Sequence, residues 1–192
     1  MARHAQVDYG SLTAEQRAFI KAVTDSPRPR TLDEEGRLTG PFGPWLATPD
    51  FGIPAARLGE LLRFGGRLDG RLRELVTMTV AAHWRTSYEW WAHSRAALAE
   101  GLPAEACQSV AAGRGWGAEH SPEWMVTRAA QSLLRTGTLD DADYAEASSL
   151  LGEEGVVELT LLVGYYSLVS FTLNAFGVEA PGGASPPWQQ GG

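Results

Sequence analysis

An aromatic stretch, HWRTSYEWWAH at residues 83–93, holds the side chains best suited to chemistry in this sequence. Glu89 precedes His93 by four positions, so a continuous helix places the two side chains next to each other on one face. A carboxylate beside an imidazole favours the protonated ring or selects its tautomer, and either effect suits general acid–base catalysis. The alternative is a surface ion pair between residues four apart, which has no chemical role.

Four large rings crowd this pair, and they favour the first interpretation. The rings belong to Trp84, Tyr88, Trp90 and Trp91. Four such rings cannot all be exposed to water without cost, so we expect at least two of them to pack in a core or an interface. Buried rings lower the dielectric around a neighbouring acid or base, which is the environment that shifts pKa values. Trp84, Tyr88 and Trp90 are therefore candidate substrate contacts.

Three further polar residues lie close to this stretch in the sequence. Glu74 belongs to the preceding helix and is a third acidic candidate, while His83 precedes the break at WRTS, where a capping or core role competes with a site role. Arg85 is a candidate contact for an anionic substrate by its charge. A metal site of His83, Glu89 and His93 is a less favoured alternative, since imidazole and carboxylate both bind metals.

Composition and charge exclude several classes of function. The net charge is −7 without a basic run, so nucleic-acid binding is not expected. The single cysteine, Cys107, cannot form an intrachain disulfide, and we expect it to be buried and inert. The first sixteen residues lack the apolar core of a secretion signal, which favours a cytoplasmic protein. No HExxH, CxxC, Walker or GxGxxG motif is present.

The segment at residues 156–176 tests whether the chain meets a membrane. Glu158 is its single charge, and the segment is long enough to span a bilayer. Six small or polar residues interrupt it and no Lys or Arg follows it, which argues against a span. We therefore expect a helix buried in the protein or in an oligomer interface, and no membrane partner.

Helix start and stop signals recur along the chain, and they predict an all-α fold built as a single-domain helical bundle. The first predicted helix begins at the capping box Thr13–Gln16. Seven more are predicted at 54–64, 71–83, 87–100, 103–112, 122–136, 141–151 and 156–176. The first of these should end before Pro27, and the eighth is the apolar segment. The predicted divisions are an N-terminal helix and extended loop at 1–52, the helical domain at 53–180 and a disordered tail at 181–192.

The residues Glu74, Thr86, Glu89 and His93 have the spacing E-x(11)-T-x(2)-E-x(3)-H. With this spacing and its aromatic flanks, the sequence resembles the carboxymuconolactone decarboxylase family, from about residue 10 to 180. The superfamily also includes the alkylhydroperoxidase D-like proteins, whose peroxidase branch has E-x(11)-C-x(2)-C-x(3)-H. Thr86 and Glu89 stand at its two cysteine positions, and neither side chain can form the thiolate or disulfide that peroxide reduction needs.

The resemblance implies a decarboxylase without metal or organic cofactor, acting on a small carboxylated unsaturated lactone or a related β-keto or vinylogous acid. His93 would stabilise the charge left by carbon dioxide or deliver a proton, Glu89 would hold and orient His93, and Glu74 would support His93 from the neighbouring helix. The family also implies a homo-oligomer, a trimer or a hexamer. Two alternatives are a non-thiol oxidoreductase or antioxidant homologue and a non-catalytic ligand-binding oligomer.

Overall fold

The structure of the protein is a computed structural model that describes residue 3 and residues 7–189. These residues form eight α-helices and two short 3-10 turns, with one isolated β-bridge between Leu32 and Leu38, so the all-α prediction is confirmed. The helices are α1 (Ala14–Thr24), α2 (Phe42–Trp45), α3 (Pro49–Phe64), α4 (Gly70–His83), α5 (Ser87–Ala99), α6 (Ala104–Ala111), α7 (Pro122–Thr136) and α8 (Asp141–Phe176). The 3-10 turns are at Pro181–Gly183 and Pro187–Gln189.

The chain divides into two compact units, and the first comprises the residues up to Gly66 together with Thr172–Glu179. Its helix α1 begins with the predicted capping box, in which Thr13 Oγ1 accepts the Gln16 N–H and the Gln16 side chain accepts the Thr13 N–H. The core of this unit consists of Phe19, Val23, Leu38, Leu46 and Ala56. Burial of these apolar side chains stabilises a unit that otherwise contains a long irregular loop.

Two helices of the first unit differ from the prediction. The short helix α2 was not predicted, and α3 begins at Pro49 rather than at residue 54, so that Pro54 lies inside it. Proline suits the first turn of a helix, which is why the pattern favoured a start at Pro54. Pro49 at the actual start satisfies the same rule. A Cβ on Gly52 would lie 3.0 Å from the Phe19 ring and from the Trp45 carbonyl, so glycine permits close packing of this first part of the helix.

The second unit comprises Arg67–Phe171 and the residues from Ala180 onwards. Its helix α4 packs against α5, α6 and α7. The apolar face predicted for α4 is buried and consists of Leu72, Leu75, Val76, Thr79 and Val80. This central helix carries Glu74 and therefore fixes the position of that carboxylate within the unit.

Helix α8 breaks at Gly152, whose φ of 73° and ψ of 164° are not helical. This break confirms the predicted helix end near Gly152. Glycine suits the position because it adopts a positive φ without strain. Helix α8 is long and apolar enough to cross a membrane, yet 56% of its most apolar window is buried in the protein. The buried Glu158 carboxylate accepts the backbone N–H groups of Arg67 at 2.7 Å and Leu68 at 3.3 Å. A buried carboxylate with these hydrogen bonds is compatible with a core helix, as predicted.

The tail differs from the prediction over the residues that the structure describes. Residues 181–189 form the two 3-10 turns, and the Trp188 ring meets the Trp90 ring edge-on, with 5.1 Å between centroids. An aromatic pair of this kind stabilises the position of a segment that is otherwise rich in Gly and Pro. Residues 190–192 of the predicted disordered tail lie outside the described residues, and the predicted domain boundaries stay a prediction.

Candidate active site

The turn between α4 and α5 brings the predicted acid–base residues together. The sequence WRT at 84–86 leaves the helix, and Arg85 takes a φ of 52°, in the left-handed region. Thr86 is the N-cap of α5, and its N–H donates to the Ala81 carbonyl at 2.9 Å. Two helices joined by so few residues form a hairpin, so a side chain of α4 can face one of α5.

His93 lies between two carboxylates. Its Nδ1 atom is 2.6 Å from Oε2 of Glu74 on α4, and its Nε2 atom is 3.3 Å from Oε2 of Glu89, one turn earlier on α5. All three side chains are buried, with 2 to 4% of each residue exposed. A solvent-exposed pair of Glu89 and His93, the alternative from the sequence, is therefore not what the structure shows.

The surroundings of His93 change its acidity. Burial of the ring opposes protonation, but the carboxylates of Glu74 and Glu89 outweigh burial and raise the pKa of His93 to about 9. At neutral pH the ring is therefore an imidazolium with a proton on each nitrogen. One proton is directed to Glu74 and the other lies on the side of Glu89.

Tyrosine side chains of α8 cover the ring of His93. The Tyr166 ring packs edge-on against it, with 4.9 Å between centroids, and Tyr165 packs against Tyr166 at 5.3 Å. Both tyrosines are buried. Tyr166 was not among the predicted site residues, although two adjacent tyrosines in the middle of an apolar helix indicate that a polar group faces them.

Two buried hydroxyl groups close to this cluster in sequence lack a hydrogen-bond partner among the described residues. They are Thr86 Oγ1, at the start of α5, and Ser170 Oγ, one helical turn beyond Tyr166. Thr86 is unusual because an N-cap threonine normally accepts a backbone N–H of its own helix, and here it makes no such bond. Native proteins satisfy most buried polar groups, so these hydroxyls are candidate contacts for a small polar ligand.

The predicted aromatic contacts lie in three different settings. Trp84 donates its Nε1–H to Ser167 Oγ at 3.0 Å and packs against Phe171. The Tyr88 ring packs against that of Trp91, with 5.7 Å between centroids. Trp90 is buried against Trp188 in the tail. The expectation that at least two of the four rings pack in a core holds for Trp90 fully and for Trp84 in part.

The predicted contacts His83 and Arg85 lie elsewhere in the second unit. Both are exposed, and both line a cavity of about 390 Å³ that Glu74, Glu89 and His93 do not line. The structure therefore separates these two residues from the cluster around His93.

Metal and thiol chemistry find little support in the side chains that the structure describes. Residues 3 and 7–189 contain no group of three or more His, Cys, Asp or Glu residues placed to hold a metal ion. Glu74 and Glu89 contact opposite nitrogens of His93, so the three side chains surround the ring rather than converge on one point. Cys107, the one cysteine of the chain, lies half-buried on α6, where burial raises the pKa of its thiol and makes it less reactive.

Comparisons with known proteins identify this architecture. The structure resembles an uncharacterized peroxidase-related protein from Ralstonia eutropha JMP134, an alkylhydroperoxidase AhpD core, with a TM-score of 0.74 and 14% identity over 94% of this chain and 93% of that one. It also resembles the debrominase Bmp8, solved with 2,3,4-tribromopyrrole, with a TM-score of 0.66 and 11% identity over 95% of each chain. At these identities the likeness establishes the fold, an all-α bundle of the alkylhydroperoxidase D-like type.

No curated protein sequence matches the chain. Residues 49–132 match the sequence model of the carboxymuconolactone decarboxylase family, and this segment includes α4, the turn and α5. It therefore contains all four residues of the spaced motif, Glu74, Thr86, Glu89 and His93. Over residues 49–132 the chain is therefore similar to the carboxymuconolactone decarboxylase family.

Proposed function

We propose that the protein is a cofactor-independent acid–base lyase that decarboxylates a small unsaturated lactone or a β-keto or vinylogous acid. The observation that carries this proposal is the position of His93, buried between Glu74 and Glu89, whose carboxylates raise its pKa to about 9. A buried imidazolium held by two carboxylates can stabilise a developing negative charge and can donate a proton.

The two contacts of His93 suggest different roles for its nitrogens. The Nδ1 contact with Glu74 is short, at 2.6 Å, and fixes the plane of the ring. The Nε2 contact with Glu89 is longer, at 3.3 Å, and outside ideal hydrogen-bond geometry, so it is the weaker of the two. We therefore assign the transferable proton to Nε2. Glu74 orients the ring and contributes the larger part of the attraction that keeps it charged, and Glu89 contributes the smaller part.

The reaction balances with His93 as the only acid. The bond between the substrate carbon and its carboxylate breaks, carbon dioxide leaves, and the electron pair spreads onto the conjugated carbonyl as a dienolate. The Nε2 proton then moves to the distal carbon of the dienolate, and the neutral ring regains a proton from water. The surrounding rings, Tyr166 among them, would exclude bulk water and strengthen the attraction between the imidazolium and the dienolate.

The test is NMR in heavy water with carboxymuconolactone and a panel of β-keto and vinylogous acids. Wild-type protein should release carbon dioxide from one member and place deuterium on the distal carbon. His93→Gln should lower that rate by about 10²- to 10⁴-fold, the usual contribution of a positioned acid. His120→Gln is the matched control, because His120 is an exposed histidine of the same unit that pairs with Glu146 instead.

Other outcomes separate the alternatives. Equal rates for wild type, His93→Gln and His120→Gln, with all three folded by circular dichroism, would refute acid catalysis by His93. Ligand binding that His93→Gln preserves, without turnover of any substrate, would support the non-catalytic oligomer. Stoichiometric metal in the purified protein, together with peroxide turnover that chelation abolishes, would support the oxidoreductase.

We also propose that the protein is a homo-oligomer. Beyond Gly152, α8 exposes apolar side chains at helical spacing, with Val157 at 57%, Leu161 at 46% and Phe171 at 51% exposure. Such a row is costly in water and is typical of a surface that a second protein chain covers.

A further inference from the structure

One cavity of the second unit has a lining that differs in charge from the rest of the protein. It has a volume of about 390 Å³ and lies among the end of α4, α6, α7 and the tail. Its basic residues are His83, Arg85 and Arg135, and its apolar lining includes Val110, Leu134 and Trp188. This volume is within the range of small-molecule sites.

The basic residues of the lining favour binding of an anion. Every titratable residue that lines the cavity is basic, although the chain as a whole carries a net charge of −7. Within the described residues, none of these three side chains pairs with a carboxylate at ion-pair distance. Two guanidinium groups without carboxylate partners at one concave surface produce a positive potential there and can bind an anion through paired N–H groups.

The backbone at Arg85 is a second, independent observation. Its φ of 52° is in the left-handed region, where glycine is favoured and a long side chain is strained. Strain of this kind is typical of functional sites. Glycine would make this turn at a lower conformational cost, but it would remove one guanidinium from the cavity.

The tail adds a third observation. The Trp188 Nε1 atom is buried and has no hydrogen-bond partner among the residues described. A buried donor without an acceptor is costly in the unliganded protein. The Trp188 ring meanwhile offers an apolar surface, with Val110 and Leu134 also in the lining.

We propose that this cavity binds a small organic acid, with its carboxylate held by Arg85 and Arg135 and its apolar body against Trp188, Val110 and Leu134. The proposal does not rest on the proposed function, because Glu74, Glu89 and His93 do not line the cavity. It assigns to Arg85, Arg135 and the tail a binding role that is independent of proton transfer at His93.

Isothermal titration calorimetry with three probes tests the chemistry. Benzoate has both a carboxylate and an apolar ring, benzamide has the ring without the charge, and inorganic phosphate has the charge without the ring. We expect saturable binding of benzoate, and at least tenfold weaker binding of both benzamide and phosphate. Equal affinity for benzoate and benzamide would refute the role of charge, and equal affinity for benzoate and phosphate would refute the role of the apolar walls.

Arg85→Gly is the sharpest variant, because it removes the guanidinium and also relieves the positive φ. It should weaken benzoate binding at least tenfold while leaving the melting temperature unchanged or higher, so that lost binding cannot be attributed to misfolding. Arg135→Gln should weaken binding in the same direction. Arg57→Gln, which changes an exposed arginine of α3, is the matched control and should bind benzoate as wild type does.

His93→Gln separates this proposal from the proposed function. We expect it to lose turnover and to keep the wild-type affinity for benzoate, and loss of that affinity would overturn the independence of the cavity. Absence of saturable binding to wild type across benzoate, phenylacetate and 1-naphthoate in the millimolar range would overturn the proposal itself, as would wild-type affinity in Arg85→Gly.

Discussion

The Nδ1 atom of His93 lies 2.6 Å from Oε2 of Glu74, although the two residues are nineteen positions apart in the chain. This contact is shorter than the contact of His93 with Glu89 on its own helix, at 3.3 Å. The hairpin of α4 and α5 creates it, and burial protects it from screening by water and salt. It makes His93 a charged group inside an apolar unit, and the following predictions depend on that charge.

The stability of the protein should depend on pH through His93. The folded-state pKa of about 9 lies above the ordinary value of 6.5, so the folded protein binds a proton that the unfolded chain releases between these values. The contribution is fully present below pH 6.5 and is lost as pH rises through 9, with a total on the order of 3 kcal/mol. Urea unfolding between pH 6 and 10 measures it, and His93→Gln should flatten this part of the profile. If the free energy of unfolding of His93→Gln falls equally steeply with pH, the pH dependence belongs to other groups.

The two carboxylates should contribute unequally to the pKa of His93. Glu74→Gln should lower that pKa more than Glu89→Gln does, since the attraction of Glu74 is the larger and its contact the shorter. Both variants keep the size of the side chain and its capacity to accept a hydrogen bond. Titration of the imidazole by ¹H–¹⁵N NMR gives the two values directly. A larger effect of Glu89→Gln would reverse the roles that we assign to them.

Thr86→Val should be neutral or slightly stabilising in the free energy of unfolding. Replacement of an N-cap threonine usually costs about 0.5–2 kcal/mol, but the Thr86 hydroxyl caps nothing and has no partner among the described residues. A methyl group of similar size would fill the same space without an unsatisfied polar atom. Chemical denaturation measures the change, with Ser121→Ala as the contrast, since Ser121 does cap α7 and should cost about 1 kcal/mol. A loss above about 1 kcal/mol in Thr86→Val would show that the hydroxyl has a structural partner.

Glu158→Ala should destabilise the second unit by about 2 kcal/mol, because it leaves the buried N–H of Leu68 and the N–H of Arg67 without their acceptor. Glu154→Ala, one turn earlier and exposed, removes only a surface pair with Arg67 and should change stability by less than about 0.5 kcal/mol. Guanidinium denaturation of both variants makes the comparison. Equal losses of stability in the two variants would mean that burial does not strengthen the hydrogen bonds of Glu158.

Leu161→Glu should dissociate the proposed oligomer. A charge in the middle of the exposed apolar row of α8 would be desolvated in an interface between chains, at a cost that association cannot offset. Light scattering coupled to size exclusion should show several chains for wild type and one for the variant. Leu98→Glu, at a similarly exposed leucine of α5, is the control and should leave the mass unchanged. A monomeric wild type would contradict the proposal.

Local signals in the sequence predicted most of the helices because their physical causes are local. The capping box at Thr13, the N-cap Ser121 before Pro122 and the glycines at 137 and 152 act within one or two turns, and each occurs at the expected position. The start of α3 was misplaced because two prolines, Pro49 and Pro54, both suit the first turn of a helix, and the structure places Pro49 there. Local signals do not choose between them.

The sequence by itself determined the all-α class, the family motif and the adjacency of Glu89 and His93, since spacing along one helix fixes which side chains are neighbours. Only the tertiary structure decided that this pair is buried, that Glu74 is the closer partner of His93 and that Tyr166 covers the ring. It also placed Arg85 and Trp188 together in the lining of a cavity that His93 does not line. Burial and contacts between helices depend on how distant segments pack, and the spacing of residues within one segment does not contain that information.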